Sequence, residues 1–251
     1  IVPKTSIEDV AGSVASGESS WGVLPIENSI AGTVHETFDA IVRHELSITK
    51  EIFLPIAHHL LIAPVSHPVN QQLQGIKTIF SHPKAFEQCR IFLKGLPHAR
   101  LLMVSDTSTA AGLVARHKNP REAAIGSLDA AKEYGLQVLV KQIQDNTKNC
   151  TRFVVVQKNQ GCQMGTKATL CAVLPHVPGS LHTLLGCFAK RRLNLTKIES
   201  RPIADSPWEY LFYLDIDFGT HKKIFDDAIL EAKNVVRSIK VLGTYEKGSR
   251  I

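Results

Sequence analysis

Short apolar runs alternate with amphipathic stretches along the chain up to about residue 157. Apolar residues recur at helical spacing over Ile7–Ser16, directly after Ser6, and predict a helix with Ser6 as its N-cap. The runs Trp21–Ile26 and Ile76–Phe80 each end in polar residues and are typical of buried strands. Strands and helices that alternate at this spacing predict an α/β region with a mostly parallel sheet.

A different pattern follows. Residues 158–166 are polar, include Gly161 and Gly165, and have no hydrophobic period, so they predict a linker. Residues 167–251 then read as strand, helix, strand, strand, helix and strand, and the first helix, over Pro178–Lys190, carries a stripe of apolar residues on one face. This order predicts a ferredoxin-like βαββαβ domain.

Composition narrows the class of protein. The 251 residues are 44% hydrophobic and 21% charged, which is ordinary for a globular protein and enough for two modest cores. The net charge of +6 comes from scattered basic residues without interleaved aromatics, a pattern that disfavours nucleic acid and suits a small anionic substrate. No apolar run approaches the roughly 18 residues of a membrane-spanning helix, so no membrane association is expected.

Cysteine and histidine usage limits the chemistry further. The five cysteines are odd in number and lack CxxC spacing, which indicates a reducing compartment and predicts a cytoplasmic protein. The eleven histidines show no HExxH spacing, and no GxGxxG or Walker pattern occurs. We therefore expect neither a metal site nor a bound nucleotide.

Three polar groups follow apolar strands, at the strand ends where ligands bind in open α/β sheets. They are Glu27, Asn28 and Ser29; Ser81 with Gln88; and Asn149, Thr151 and Arg152. Glu27 is an acid or base if burial raises its pKa. Arg152 offers a bidentate grip on a carboxylate.

Each group also has a purely structural interpretation. Glu27 to Ser29 fit a polar turn after a strand. Ser81 fits the N-cap of a helix predicted over residues 81–94, which opens on Pro83. Cys150 lacks a basic partner nearby and is expected to be a small packing residue.

In their order along the chain these groups resemble prephenate dehydratases. The resemblance rests on Pro25-Ile26-Glu27-Asn28-Ser29, Ser81-His82-Pro83 with Gln88, and Asn149-Cys150-Thr151-Arg152-Phe153, and it covers nearly the whole chain. Residues 167–251 are similar to the ACT regulatory domain of that family. The matching segments there are Pro178-Gly179-Ser180-Leu181 and Asn194-Leu195-Thr196-Lys197-Ile198-Glu199-Ser200-Arg201-Pro202.

The resemblance implies a cofactor-free lyase of phenylalanine biosynthesis that converts prephenate to phenylpyruvate, carbon dioxide and water. Thr151 is then expected beside the departing hydroxyl, and Glu27, Ser81 and Gln88 complete the catalytic set. The implied substrate-binding residues are Asn28, Ser29, Asn149, Arg152 and Phe153. L-Phenylalanine is the implied allosteric inhibitor, held by Pro178, Gly179, Ser180, Leu181, Asn194, Leu195, Glu199, Ser200, Arg201 and Pro202.

The resemblance also implies an architecture. The catalytic domain, residues 1–157, is expected to be a two-lobed fold of the type II periplasmic-binding-protein kind. Lobe one spans about 1–55 and 141–157, and lobe two about 56–140. The ACT domain spans 167–251, and its effector site at an ACT–ACT interface implies a homodimer or homotetramer.

Two alternatives stay open. The family begins with a strand and a Gly-Pro-x-Gly-Thr loop, and Ile1–Val10 matches the segment after that loop, so both are expected to be missing. A catalytically impaired fragment that only senses an amino acid is therefore one alternative. The other is an arogenate dehydratase, which performs the same chemistry on a substrate with an amino group in place of the keto group.

Overall fold

A computed structural model describes residues 1–64, 69–158, 164–203 and 206–248. The helices in these residues are α1 (Ile7–Ser16), α2 (His35–Arg43), α3 (Val69–Gly75), α4 (Pro83–Gln88), α5 (Arg90–Lys94), α6 (Thr107–His117), α7 (Leu128–Glu133), α8 (Ser180–Ala189) and α9 (Lys222–Ala232). The strands are β1 (Gly22–Asn28), β2 (Gly32–Thr33), β3 (Leu46–Pro55), β4 (His59–Ile62), β5 (Thr78–Ser81), β6 (Arg100–Met103), β7 (Glu122–Gly126), β8 (Gln137–Val140), β9 (Cys150–Lys158), β10 (Lys167–Val173), β11 (Asn194–Ile203), β12 (Ser206–Asp217) and β13 (Ser238–Tyr245).

The chain divides into two compact units. The first unit combines Ile1–Leu54 with Thr151–Ile251, and the second unit is Pro55–Cys150. Residues 141–150, expected with the first lobe, lie in the second unit, where the Ile143 amide donates to the His58 carbonyl at 2.9 Å. Of the predicted linker, residues 159–163 lie outside the described residues.

The second unit holds a five-stranded sheet in the order β6-β5-β7-β4-β8, which we call the second sheet. Strand β5 is parallel to β6 and β7, but β4 is antiparallel to both β7 and β8. The expectation of a mostly parallel sheet is therefore wrong. Parallel pairing is expected between strands that a helix connects. Strand β4 instead lies between β7 and β8, which are remote from it in the chain.

The first unit begins with helix α1, and the predicted N-cap is confirmed: the Asp9 amide donates to the Ser6 side chain at 3.0 Å. Helix α1 and α2 pack against the first sheet, whose order is β2-β1-β9-β3. Strand β1 is antiparallel to β2 and to β9, so this sheet also departs from the parallel expectation. Strand β9 reaches β1 only after the chain has passed through the second unit, and its direction is free of any crossover constraint.

The third sheet, in the order β11-β12-β10-β13, confirms the predicted βαββαβ order. Its strands pair antiparallel, and α8 and α9 cover one face. Alternate residues of β10 and β12, such as Leu170, Leu214 and Ile216, pack there against Leu184 and Phe225. Helix α8 begins at Ser180 after Gly179 in the left-handed region (φ 85°), two residues later than predicted.

The opposite face of the third sheet packs on the first sheet, within one core. Tyr213, Leu242 and Tyr245 join Ile26 and Ile48 in a single buried cluster. The backbones approach so closely that a Cβ atom on Gly243 would lie 2.0 Å from the Ile48 carbonyl oxygen, which explains why glycine stands at this position. The two sheets of the first unit are therefore locked in one register against each other.

Candidate active site

The first and third polar groups of the sequence meet at the paired ends of β1 and β9. After a bulge between Pro25 and Glu27, Glu27 lies opposite Arg152 and Asn28 lies opposite Thr151. Glu27 and Asn28 thus belong to the strand itself and not to the turn that follows it. Two residues that are more than a hundred positions apart in the chain become neighbours only through this pairing.

Asn28 ties the Thr151 hydroxyl to the turn after β1. Its Nδ2 donates to Thr151 Oγ1 at 2.9 Å, and its Oδ1 accepts from the amides of Ile30 (3.0 Å) and Ala31 (2.8 Å). In this hydrogen bond Oγ1 is the acceptor, so the Asn28 amide fixes the position of the hydroxyl oxygen. Ser29 is exposed at the start of the same turn.

Glu27 and Arg152 point the other way. Successive side chains of a strand leave on opposite faces, so the pair Glu27–Arg152 faces the third sheet while Asn28 and Thr151 face away from it. Glu27 Oε1 accepts from Lys197 Nζ at 3.1 Å, and its Oε2 lies 3.5 Å from Arg152 Nη1. Glu27 and Thr151, which were expected to belong to one catalytic set, therefore have side chains on opposite faces of the sheet.

Arg152 is almost fully buried and bound within the protein. Its Nη1 donates to Asp215 Oδ2 at 2.5 Å, its Nη2 donates to Tyr245 Oη at 2.9 Å, and its Nε lies 2.8 Å from Glu51 Oε2. Burial alone lowers the pKa of the guanidinium, but the charge of Asp215, followed by Tyr245 and Glu51, outweighs burial and raises this pKa above its ordinary value. The guanidinium expected to grip a substrate carboxylate is engaged by carboxylates of the chain itself.

The neighbours of Arg152 complete a balanced buried network. Lys167 Nζ donates to Glu51 Oε2 at 2.9 Å, and Thr169 Oγ1 donates to Asp215 Oδ1 at 2.6 Å. Burial, with the nearby charge of Asp215, raises the pKa of Tyr245, so its hydroxyl remains neutral. Three cations and three carboxylates therefore offset one another, which buried ion pairs require. They are Arg152, Lys167 and Lys197 with Glu27, Glu51 and Asp215.

The second unit holds the remaining predicted residues. Ser81 is fully buried at the end of β5, where its hydroxyl donates to the Ile125 carbonyl at 2.9 Å. It is not the N-cap of the following helix: His82 has that position, since its Nδ1 accepts from the Lys84 amide at 3.1 Å. The helix predicted over 81–94 is also interrupted at Cys89, between α4 and α5.

Gln88 lies at the end of α4, where its Oε1 is 2.7 Å from Nε2 of His58. His58 is buried, and its amide donates to Gln144 Oε1 at 3.0 Å. Asn149 is also buried in this unit, and its carbonyl accepts from the Ile56 amide at 2.9 Å. Phe153, back in the first unit, is half-buried opposite Pro25.

The expected effector residues divide between two places. Pro178 to Leu181 line a cavity of about 530 Å³ together with Tyr210 and Phe212. On β11, Ser200 and Pro202 lie opposite Phe212 and Tyr210 and so share the face of that cavity. Glu199 and Arg201 lie on the opposite face of β11, where they contact residues of the first unit outside the third sheet. Thr33 Oγ1 donates to Glu199 Oε2 at 3.1 Å, and Arg201 Nη2 lies 2.5 Å from Asp39 Oδ2.

The start of β11 holds the other two expected effector residues. Asn194 is exposed opposite Asp217, and Leu195 is half-buried opposite Ile216. Neither lines the cavity formed by Pro178 to Leu181.

Sequence reasoning missed several residues of this site. Glu51 and Asp215 are buried partners of Arg152, Lys167 binds Glu51, and Lys197 binds Glu27, yet none of the four was among the expected site residues. The available signal was a charge inside an apolar strand, most clearly Asp215 between Leu214 and Ile216. A buried charge needs a partner, so such a residue indicates an ion pair even when the partner is unknown.

Three further features concern the described residues only. No helix among them has the length and apolar character of a membrane span. No group of three or more His, Cys, Asp or Glu side chains among them is arranged to hold a metal ion. Cys89, Cys150, Cys171 and Cys187 form no disulfide within the part of the chain that the structure describes.

The fold and site define a mixed α/β protein with a polar strand-end site, joined to a βαββαβ region. The family model for prephenate dehydratase matches residues 1–161, and the chain belongs to this family. The bifunctional chorismate mutase/prephenate dehydratase of Escherichia coli is 36% identical over 240 residues, covering 94% of this chain and 61% of that protein. The chloroplastic arogenate dehydratase/prephenate dehydratase 2 of Arabidopsis thaliana is 36% identical over 235 residues, covering 89% of this chain and 60% of that protein.

Solved structures are similar over nearly the whole chain. The prephenate dehydratase of Arthrobacter aurescens in complex with L-Phe has a TM-score of 0.84 and 34% identity, with 98% of this chain and 81% of that chain covered. GqqA, described as a novel type of quorum quenching acylase, also has a TM-score of 0.84, with 26% identity and coverage of 97% and 88%. The chain spans about 61% of the length of the first curated relative.

Proposed function

We propose that the chain is a prephenate dehydratase of phenylalanine biosynthesis. Membership of the family supports the reaction. The observation that carries the proposal is the Thr151 hydroxyl, held by Asn28 at the end of two paired strands. Such a donor suits a reaction whose difficult step is the departure of hydroxide.

The chemistry defines what the site must do. The bond from the ring to its carboxylate breaks and releases carbon dioxide, its electron pair moves into the ring, and the ring carbon–oxygen bond breaks. The departing hydroxide takes a proton and leaves as water, and the aromatic product is phenylpyruvate. A donor placed at the oxygen that gains charge stabilises the transition state more than the ground state. Thr151 is that donor in our proposal, whether or not it also delivers the proton.

The other residues take supporting roles. Asn28 orients Thr151, and Ser29 and Phe153 lie beside them along the chain on the substrate side. Ser81 and Gln88 remain proposed catalytic residues and Asn149 a proposed substrate-binding residue, and within the second unit the Gln88 side chain binds the His58 ring. Glu27 and Arg152 are positioning residues, because they face the third sheet and bind one another and its charges.

The domain assignment follows from this. We propose a two-lobed catalytic domain over residues 1–157, of the type II periplasmic-binding-protein kind, and an ACT regulatory domain over 167–251. The βαββαβ order and the sheet order β11-β12-β10-β13 support the second part. The free thiols favour a reducing compartment, and we propose a cytoplasmic enzyme.

L-Phenylalanine is the proposed inhibitor. The Arthrobacter aurescens relative was solved in complex with L-Phe, and here the cavity beside Pro178 to Leu181 has the aromatic lining, Tyr210 and Phe212, that suits a phenyl ring. Ser200 and Pro202 are exposed on the edge strand β11, next to that cavity. An exposed edge strand suits pairing with a second copy, which supports a homodimer or homotetramer.

The test is phenylpyruvate formation from prephenate, measured with and without L-phenylalanine. We expect turnover that L-phenylalanine suppresses. Thr151→Val keeps the shape but removes the donor and should lower kcat about 100-fold, which is roughly 2.7 kcal/mol of transition-state stabilisation. Thr151→Ser keeps the hydroxyl and should retain most of the activity. A Thr151→Val enzyme with parental kcat contradicts the role of Thr151, and a folded parent with no turnover contradicts the proposed reaction.

Arogenate dehydratase is the second candidate, favoured by the identity to the Arabidopsis thaliana enzyme that carries both names. The two substrates differ in a keto or amino group on the side chain, away from the departing hydroxyl. Comparing kcat/KM for prephenate and arogenate on the same preparation decides between them. A higher value for arogenate replaces the first proposal.

A further inference from the structure

A lysine of the regulatory region holds the hairpin that carries Asn28. Strands β1 and β2 form this hairpin, with Glu27 opposite Thr33 and Asn28 opposite Gly32. Lys197 Nζ donates to Glu27 Oε1 at 3.1 Å and to Thr33 Oγ1 at 2.6 Å. One ammonium group therefore bridges both strands at the base of the hairpin, one pair of residues away from Asn28.

The same lysine belongs to a square of alternating charges. Glu27 and Arg152 face each other across β1 and β9, and Lys197 and Asp215 face each other across β11 and β12. Between the two sheets, Arg152 binds Asp215 and Lys197 binds Glu27. Three sides of the square are ion pairs, and the fourth, between Lys197 and Asp215, is a cross-strand pairing. Displacement of one corner therefore disturbs the strand ends that carry Asn28 and Thr151.

Burial makes this arrangement specific. The Lys197 side chain is only 6% exposed, so its ammonium must find partners inside the protein. The hydroxyl of Thr33 accepts from Lys197 and donates to Glu199, and His35 Nε2 lies 3.5 Å from that carboxylate. These contacts run from β11 to the hairpin.

We infer that Lys197 is a positioning residue for the reaction: by bridging Glu27 and Thr33 it fixes the hairpin, and through Asn28 it fixes the direction of the Thr151 hydroxyl. This inference rests on the proposed function. A small misplacement of a transition-state donor is enough to lower kcat strongly while substrate binding is retained. Lys197 thus makes the catalytic strand ends depend on β11, the strand that also carries Ser200 and Pro202.

The first experiment is a mutant cycle read on turnover. Lys197→Met keeps the length of the side chain without its charge and should lower kcat at least tenfold with KM changed less than twofold. In a Glu27→Gln, Thr33→Val background, Lys197→Met should lower kcat by less than twofold more, because its partners are already gone. Lys197→Arg should restore at least half of the lost kcat. The matched control, Lys223→Met on the exposed surface of α9, should leave kcat and KM unchanged.

Additive effects in the cycle, or an unchanged kcat in Lys197→Met, overturn the positioning role. A loss that appears in KM alone also overturns it, since that result indicates a role in substrate binding.

The second experiment needs no turnover. The same cycle read on the equilibrium constant of unfolding should be non-additive by at least threefold if Lys197 contacts Glu27 and Thr33. If the parent has no activity on prephenate but this coupling is present, the proposed function fails and the contact stands. If the parent is active and the coupling is absent, the contact fails and the proposed function stands. Should Lys197→Met not fold, Lys197→Arg and Thr33→Val provide the same comparison with smaller changes.

Discussion

The two faces of the third sheet are built from the same strands and are stabilised in different ways. The face under α8 and α9 is apolar, and Leu170, Leu214 and Ile216 pack there against helix residues. The opposite face mixes apolar residues with a buried network in which Thr169 and Asp215 belong to the same two strands. Because successive side chains of a strand point to opposite faces, one short sequence can supply apolar residues to one face and charged residues to the other.

The two faces contribute differently to the stability of the fold and to the placement of individual atoms. Apolar burial is non-directional, so the helix face stabilises the domain without fixing one partner atom against another. Ion pairs in a buried face act only when each charge meets its partner, and they contribute little net stability when they are complete. The charged face therefore sets the register between the first and third sheets, at the place where the candidate active site lies.

The largest effect is expected from removing one charge of that face. Asp215→Asn leaves Arg152 buried without its nearest carboxylate and should lower the free energy of unfolding by about 3–5 kcal/mol. Chemical denaturation measures this change. Asp217→Asn is the matched control on the same strand: its partner Lys247 is exposed, and the loss should stay below about 1 kcal/mol. Equal losses in the two variants would show that burial does not set the cost of removing a charge from this face.

A smaller loss is expected on the apolar face, with a different signature. Leu184→Ala creates a cavity beneath α8 and should lower the free energy of unfolding by about 3 kcal/mol, within the usual 2–5 kcal/mol. Because no partner atom is misplaced at the strand ends, kcat of the folded fraction should stay near the parental value, whereas Asp215→Asn should lower it. Leu230→Ala, exposed on α9, should change stability by less than about 0.5 kcal/mol. A fall in kcat for Leu184→Ala would show that the two faces are coupled.

The smallest effect concerns the rate at which a reagent modifies buried cysteine thiols, and this rate should be similar on the two faces. Burial raises the pKa of Cys171, on the charged face, and also the pKa of Cys187, under α8, so both remain neutral thiols at pH 8. Since the thiolate is the nucleophile, iodoacetamide should modify both thiols slowly in the folded protein. The reaction should become faster only when the pH rises well above 8. Half-buried Cys150 is the internal reference and should react first. Peptide mass spectrometry of timed samples would reveal a wetter charged face as faster labelling of Cys171 than of Cys187.

Local elements were predictable because local residues specify them. Ser6 caps α1 as its position before the apolar stripe predicts, and the βαββαβ order follows from hydrophobic periods of two and 3.6 residues. The motif segments around Asn28 and Thr151 likewise identified both strands that form the candidate active site. The predicted helix bounds were wrong by only a few residues, as in the later start of α8 and the interruption of the helix at Cys89.

The sequence by itself thus determined the elements, the family and the residues with polar chemistry at strand ends. The tertiary structure alone decided the directions of β4 and β9, the burial of Ser81 against Ile125, and the separation of Glu27 from Thr151. It also decided that Arg152 binds Asp215, and that Lys197 reaches across to Glu27. The physical reason is that helix periods and caps depend on residues three or four positions apart, whereas the ion pairs of Arg152 with Asp215 and of Lys197 with Glu27 join residues that are 63 and 170 positions apart.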